Sequence, residues 1–582
     1  MVERSIGIGN CSGFYGDRLS AMREMLEGSN DGQPLDYLTG DYLAELTMLI
    51  LGKDQLKDPG AGYARTFVRQ LEDCLGLALE KGVRIVSNAG GLNPAGLAVR
   101  VGEIANALGL SPRISWVDGD DLAPRAAELG FEGALTANAY LGGFGIARAL
   151  EAGADVVITG RVTDASLVVG PAVAEFGWTP TSYDELAGAV VAGHVIECGA
   201  QATGGNFDGA FEVWDWGMRP FGFPIAEVAA DGSSVITKHP GTGGLVSVDT
   251  VTAQLMYEIQ GPLYLGPDVT ADLTSIQLSQ LVRDRVQIRR VSGSAPPERL
   301  KVAVNELGGY RNSVEFVLTG LDLGAKRNLV MGQVLPWLNQ MEDVDSWWSD
   351  YRVPAPDSPI EEGASVRLRL DVFSRDAEAV GKRFTAPIIE IALASYAGFH
   401  VTAPPARPSP FGVYKPAYVG RDVVEETVHL AWTGQDYVVP APSTGQPDPA
   451  APVSVDAEGF TLDLEERPLR GLPLGTFVHA RSGDKGGDAN VGFWVSQDHP
   501  KAAERTAWLL ATVDPAFIRG LIPEAAGSAV DVTALPSLGG VNVVVHGWLG
   551  AGVAANHRFD PQAKALGEWL RYRHVEIPEE LL

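Results

Sequence analysis

Cysteine is scarce in this chain: Cys11, Cys74 and Cys198 are the three found in 582 residues. So few and so scattered sulfurs exclude a disulfide framework or a thiolate-built zinc site, and they fit a reducing cytosol. No apolar run approaches the ~18 residues of a membrane span, so no membrane partner is expected. The opening MVERSIGIGN lacks the basic and apolar regions of a secretion signal. Positive charge is also short, with 45 Lys and Arg against 73 Asp and Glu and a formal net charge of −28. That excess of acid argues against a nucleic-acid surface while leaving room for a local basic spot that takes a small anion. Phosphate signatures are absent too. KHPGTGG (238–244) has no GK[ST] ending, and Gly7, Gly9, Gly13 and Gly16 miss the G-x-G-x-x-G spacing, so no nucleotide cofactor is expected.

What is present is the composition of a packed globular protein, 45% hydrophobic and 20% charged, long enough for two or three domains. Over the first ~210 residues short apolar runs at 5–9, 83–87, 114–117 and 155–159 alternate with helical patterns at 42–51, 63–80, 95–108, 122–129 and 145–152. This rhythm predicts an α/β fold, a largely parallel sheet with helices on both faces. From about 245 to 436 the pattern turns to a β-rich α+β region, with DRVQIRRV, LKVAVNEL, NSVEFVLTG and SVRLRLDVF alternating as half-buried strands. Helical stretches near 326–341 and 377–397 interrupt them. We divide the chain into a large domain (1–436), a Pro-rich linker (437–469) that includes YVVPAPSTGQPDPAAP, and a small ferredoxin-like α+β domain (470–582) with a β-α-α-β-β-α pattern.

Ligands of open α/β sheets sit beyond the carboxyl ends of the strands. Four segments should gather there: GNCSGFYGD, SNAGGLNP, DGDDL and TGRVTDAS. They nominate Asn10, Ser12, Gly13 and Asp17 from the first, and Asn88, Gly90, Gly91 and Asn93 from the second. Asn93-Pro94 also reads as a helix entry. Arg161 can clamp a carboxylate or phosphate, and Asp164 can act as an acid or base; the plainer reading is an Arg161–Asp164 ion pair stitching the loop. Asp118, Asp120 and Asp121 have the oxygen chemistry for a divalent cation, but an acidic run opening a helix commonly caps it, and we assign no metal.

AGHVIECGAQATGGNF (192–207) sets His194, Glu197 and Gln201 on one helical face, followed by Gly204 and Gly205. A His and a carboxylate held together serve as a general acid–base pair or bind a metal; alternatively they satisfy each other at a helix end. Cys198 and Cys11 are weaker candidates as nucleophiles, lacking a nucleophile-elbow context. Lys238 and His239 head a glycine-rich loop suited to closing over an anion. In HARSGDKGGDANVGFW (479–494), Arg481 and Lys485 either contact a ligand or the large domain, or belong to a tight hairpin with solvated charges.

NCSGFYGDRL, GDYLAELTM, NAGGLNP, GADVVITGRVTDA, GHVIECGAQATGGNF and KHPGTGG together resemble the acyclic terpene utilisation (AtuA-type) family over roughly residues 4–450, and HARSGDKGGDANVG resembles the ferredoxin-fold domain that accompanies it. The resemblance implies a small-molecule acyl-CoA substrate, branched and unsaturated, with coenzyme A thioester as substrate. No nucleotide or metal motif stands out, so no cofactor is expected, and the protein is expected to be a cytoplasmic homo-oligomer. The resemblance carries no catalytic residue over; the roles above are read from the loops. The favoured step is hydration or dehydration of an enoyl-CoA by a lyase. The alternatives are a non-catalytic acyl-CoA-binding or auxiliary subunit, and a hydrolase of thioesters or small cyclic amides or esters.

Overall fold

The computed structural model describes residues 4–28, 34–213, 219–351, 354–355, 357–442, 445–447 and 467–582. It divides into two compact units, 1–305 with 414–553 and 560–582, and 306–413 with 554–559.

In the first unit, short β-branched runs form the centre of an 11-stranded sheet. Five parallel strands lie in the order Ser5–Asn10, Tyr37–Gly40, Arg84–Ser87, Val156–Thr159 and Ile114–Asp118. Successive side chains leave on opposite faces, so Val86 and Val157 enter one core while Ile85, Val156 and Ile158 enter the other. Helices Phe144–Glu151, Ser166–Phe176 and Tyr183–Ile196 cover the first face; Ala21–Gly28, Arg65–Lys81 and Pro94–Ala107 cover the second. Each fully buried Ile, Leu or Val adds roughly 1.5–3 kcal/mol, which makes these two helix layers the main stabilising element.

The sheet as a whole is mixed, not largely parallel. Antiparallel Pro224–Ala229, Ser234–Lys238, Arg285–Arg289 and Gln277–Val282 extend one side, and Thr427–Leu430 with Gln435–Val438 the other. The cause is the connections. A tight turn such as 230–233, with Gly232 at φ 79°, can only return an antiparallel strand, whereas a parallel neighbour needs a helical crossover. Of the β-rich middle region, Gln277–Val282 and Arg285–Arg289 belong to this sheet, while Leu263–Leu265, Thr270–Asp272 and Ser292–Ser294 form a separate three-stranded one. The helix expected over 122–129 is one 3-10 turn, Ala123–Arg125, containing Pro124.

The C-terminal part of the same unit folds as a four-stranded antiparallel sheet in the order Val478–Lys485, Asp488–Val495, Gly540–Val545, Val530–Leu535. Helices Ala502–Thr512, Pro515–Leu521 and Leu566–Tyr572 pack on it around Trp508, Phe493 and Leu570. Leu469–Pro473 pairs with His574–Pro578 as a separate ribbon. Of the expected linker, 443–444 and 448–466 lie outside the described residues, while Gln446 is tied to Glu298 and Thr270.

The second unit has its own core. Strand Asp345–Tyr351 pairs with Ser365–Ser374, which pairs in turn with the end of Arg299–Thr319, and helices Leu323–Leu338 and Lys382–Glu390 cover Phe316, Leu368, Leu370 and Phe384.

Candidate functional site

Strand Ser5–Asn10 ends on Asn10, whose buried amide Nδ2 donates to the carbonyls of Ile196 (2.7 Å) and Glu197 (3.0 Å). The next loop lies flat on the end of helix Tyr183–Ile196. A Cβ at Gly13 would sit 2.6 Å from the carbonyl carbon of Cys198, so only glycine permits this approach. The loop is held from within: Gly13 N–H donates to Asp17 (2.9 Å), and the Ser12 hydroxyl donates to the Phe14 carbonyl (3.0 Å). Asp17 is thus the brace of its own loop.

The adjoining strand ends add their loops in turn. Asn88 donates to Asp41 (2.6 Å) and accepts from the Tyr42 amide (2.8 Å). Arg161 is buried, and its Nη1 donates to Asp164 (2.8 Å) and to the Leu43 carbonyl (3.2 Å). Its backbone N–H donates to Asp120 (2.9 Å), which also accepts from Asn138 (2.8 Å). Asn93 caps helix Pro94–Ala107 through Gly96 N–H (2.9 Å), with Gly90 and Gly91 in the turn before it.

At the centre, His194 Nδ1 lies 3.2 Å from Glu197 Oε1, with side chains only 3% and 8% exposed. Tyr264 packs on the imidazole at a ring separation of 5.0 Å. Glu197 Oε2 is buried and makes no hydrogen bond among the described residues. Burial pushes the Glu197 carboxyl well above the usual carboxylate range; Asp164 and Glu258 add to this, and Lys485 and Arg161 oppose it. Burial, followed by Lys485, drives His194 down to about 4, so its imidazole is neutral near pH 7. Burial and Asp164 also raise Asp41. Burial works against the Lys485 ammonium, but Glu258, Glu45 and Tyr140 outweigh it and hold its pKa above the usual value. Asp41, Glu45, Arg161, Asp164, Glu197, Glu258 and Lys485 are therefore one interacting set.

Lys485 comes from the ferredoxin-like domain, which is pinned beside this set. The buried Asp208 carboxylate accepts from His479 (2.9 Å) and forms an ion pair with Arg571 (3.0 Å), whose Nε–H donates to the Val478 carbonyl (3.0 Å). Arg481 donates to the Asn206 carbonyl (3.0 Å) and to Gln201, and its guanidinium lies 4.3 Å from the Tyr257 ring centre. Asn490 accepts from Glu258 N–H (2.8 Å), and Trp494 and Ser496 donate to Asp249 (3.1 and 2.7 Å). Lys564 reaches Tyr257, Glu258 (3.5 Å) and Asp484 (3.8 Å). Gln201 and Arg481 thus belong to the domain contact.

The structure brings Asn10, Gly13, Asn88, Arg161, Asp164, His194, Glu197 and Lys485 together. It leaves Lys238 and His239 apart: Lys238 donates to the Thr242 carbonyl (3.0 Å) and faces Asp284, and His239 donates to the Met25 carbonyl (2.8 Å). Gly204 and Gly205 make the turn after the 3-10 helix Gly199–Thr203, with Gly204 at φ 111°. Asp118 faces His429 (3.1 Å) and Asp121 caps Ala123 (3.0 Å), while Asp120 stays with Arg161; among the described residues no group of three or more His, Cys, Asp or Glu is arranged for a metal ion. Burial and Glu197 push the Cys198 thiol well up, which disfavours a thiolate nucleophile. Asp41, Glu45, Glu258 and Tyr264 were not singled out from the sequence. GDYLAELTM carried a signal for the first two, since it too follows a strand.

No curated protein and no solved structure matches the chain. The AtuA ferredoxin-like domain model matches residues 472–576. With the model of the acyclic terpene utilisation family protein AtuA matching residues 6–430, well over half its length, the chain belongs to that family and carries the family's ferredoxin-like domain fused at its C-terminal side.

Proposed function

We propose that the protein is a hydro-lyase of acyl-CoA thioesters, adding water to or removing it from the β-carbon of branched, unsaturated acyl chains, and that it works in the cytoplasm without a cofactor. The observation that carries this reading is the buried His194–Glu197 pair, with Glu197 Oε2 left unpartnered among the described residues. A buried carboxyl group with one oxygen free of partners can take and return a proton at a substrate carbon.

In the hydration direction, Glu197 accepts a proton through Oε2 from the attacking water as its oxygen bonds to the β-carbon. The π electrons move onto the thioester oxygen as an enolate. The Glu197 acid then returns the proton to the α-carbon. Neutral His194, donating from Nδ1 to Oε1, holds the carboxyl in orientation throughout. Gly13 N–H, already given to Asp17, is not available to the enolate.

The test is loss of absorbance at the conjugated enoyl-thioester band when purified protein meets branched enoyl-CoA esters. Turnover that needs Glu197 is expected. Tight binding with no turnover across a range of acyl chains would overturn the lyase reading in favour of an auxiliary acyl-CoA-binding subunit.

A further inference from the structure

Beside the acid–base pair three cations converge on two tyrosines. The Arg161 guanidinium carbon lies 4.3 Å from the Tyr140 ring centre, and Lys301 Nζ lies 5.0 Å from the same ring and 5.8 Å from that of Tyr414. The Lys485 hairpin closes against Tyr414, since a Cβ at Gly486 would stand 3.5 Å from that ring. Arg161 is 3% exposed, and its Nε is buried without a hydrogen bond among the described residues. Among those residues neither Lys301 Nζ nor Lys485 Nζ forms a hydrogen bond or a close ion pair, although both lie half-buried. Glu45 answers all three and is held below its usual range, because Lys301, Arg161 and Lys485 together outweigh its burial.

We infer that Arg161, Lys301 and Lys485, framed by Tyr140 and Tyr414, form a subsite for a free carboxylate on the substrate's acyl chain. Arg161 Nε and the two ammonium groups have no hydrogen-bond acceptor among the described residues, and a ligand carboxylate supplies one. A coenzyme phosphate carries the same charge, but a long pantetheine arm separates it from the thioester. A Cβ at Gly193, next to His194, would stand 2.7 Å from Ala165 Cα, and Asp164, next to Ala165, accepts from Arg161 at 2.8 Å, so the subsite lies close to the reacting carbons. The inference rests on the acyl-CoA reading above and narrows it to dicarboxylic acyl chains. Tyr140 and Tyr414 supply ring faces to the cations and a wall for the methylenes between the two carboxyl groups.

Calorimetric titration of the full-length protein with saturated, unreactive glutaryl-CoA, butyryl-CoA and free coenzyme A separates the cases. Glutaryl-CoA is expected to bind at least about tenfold more tightly than butyryl-CoA. Lys301→Met and Lys485→Met should each shrink that preference below about threefold while leaving free coenzyme A unchanged. Equal affinity for the two thioesters would overturn the inference, as would variants that weaken coenzyme A and both thioesters alike, which would assign the cations to the coenzyme's phosphates. Glutarate and butyrate as free acids form the second arm. If glutarate binds in preference and neither thioester binds, the carboxylate subsite stands and the acyl-CoA reading falls. His194→Ala should leave every one of these affinities nearly intact.

Discussion

The side chain of Asn10, at the end of the first strand, donates to the main-chain carbonyl of Glu197 at 3.0 Å, across 187 residues of sequence. The same amide nitrogen reaches the Ile196 carbonyl, so it satisfies two orphan acceptors at the end of helix Tyr183–Ile196. Through this contact the central sheet fixes the backbone that carries the Glu197 carboxyl.

Asn10→Ala should therefore leave two buried carbonyls unsatisfied. A stability loss of about 1–3 kcal/mol is expected in denaturant melts, with kcat falling further than the melting curve explains. Melts and steady-state rates on one preparation check this. Normal kcat on a destabilised fold would show that the contact only supports the helix.

Asp208 anchors the ferredoxin-like domain. Burial lowers the pKa of His479, but Asp208 outweighs it and raises the value above the usual 6.5. A raised imidazole contributes stability that is fully present below pH 6.5 and lost as pH rises through the folded value. Asp208→Asn should thus destabilise more at pH 5.5 than at pH 9, with the Arg571 contact supplying the part that persists at both. Thermal melts across that range give the answer, and a deficit independent of pH would remove His479 from the clamp.

Glu426 sits near Asp268 and Asp120, and burial pushes its carboxyl up to about 8. An acid raised in the folded state stabilises fully below its unfolded pKa near 4.5 and loses that contribution as pH climbs through 8. Glu426→Gln should flatten the decline in stability between pH 5 and 8, by on the order of 1 kcal/mol at the upper end. His194, lowered to about 4, acts in the other direction, contributing above pH 6.5 and less as pH falls. A variant whose pH profile overlays that of the parent would show that Glu426 ionises freely in the fold.

Much of this arrangement was legible in local pattern. The βα rhythm placed four of the five parallel strands, and the i, i+3 spacing of His194 and Glu197 matched their contact. Gln201 left the expected face because the helix ends at Ile196, and Gly199, at φ 61°, turns the chain. The strand Tyr37–Gly40 is four residues long, too short for its own period to show. The antiparallel flanks join the parallel centre through pairings far apart in sequence, Pro224–Ala229 with Ser5–Asn10 and Thr427–Leu430 with Ile114–Asp118. Glu258 was beyond local reading, since it enters the site from a turn at φ 57° and acquires its neighbours only through the fold. The same holds for Lys301 and Tyr414, which read as ordinary residues of alternating strands.

The most direct measurement of the central claim is single-turnover hydration by His194→Ala, Glu197→Gln and the double variant, with melting curves on the same preparations. If Glu197 moves the proton and His194 orients it, Glu197→Gln should lose roughly 10²-fold or more in rate with its fold intact, and the double variant should be little slower than that single one. Unchanged turnover per folded molecule in both single variants, with the deficit confined to stability, would contradict the account and leave the two residues as a structural hydrogen-bonded pair.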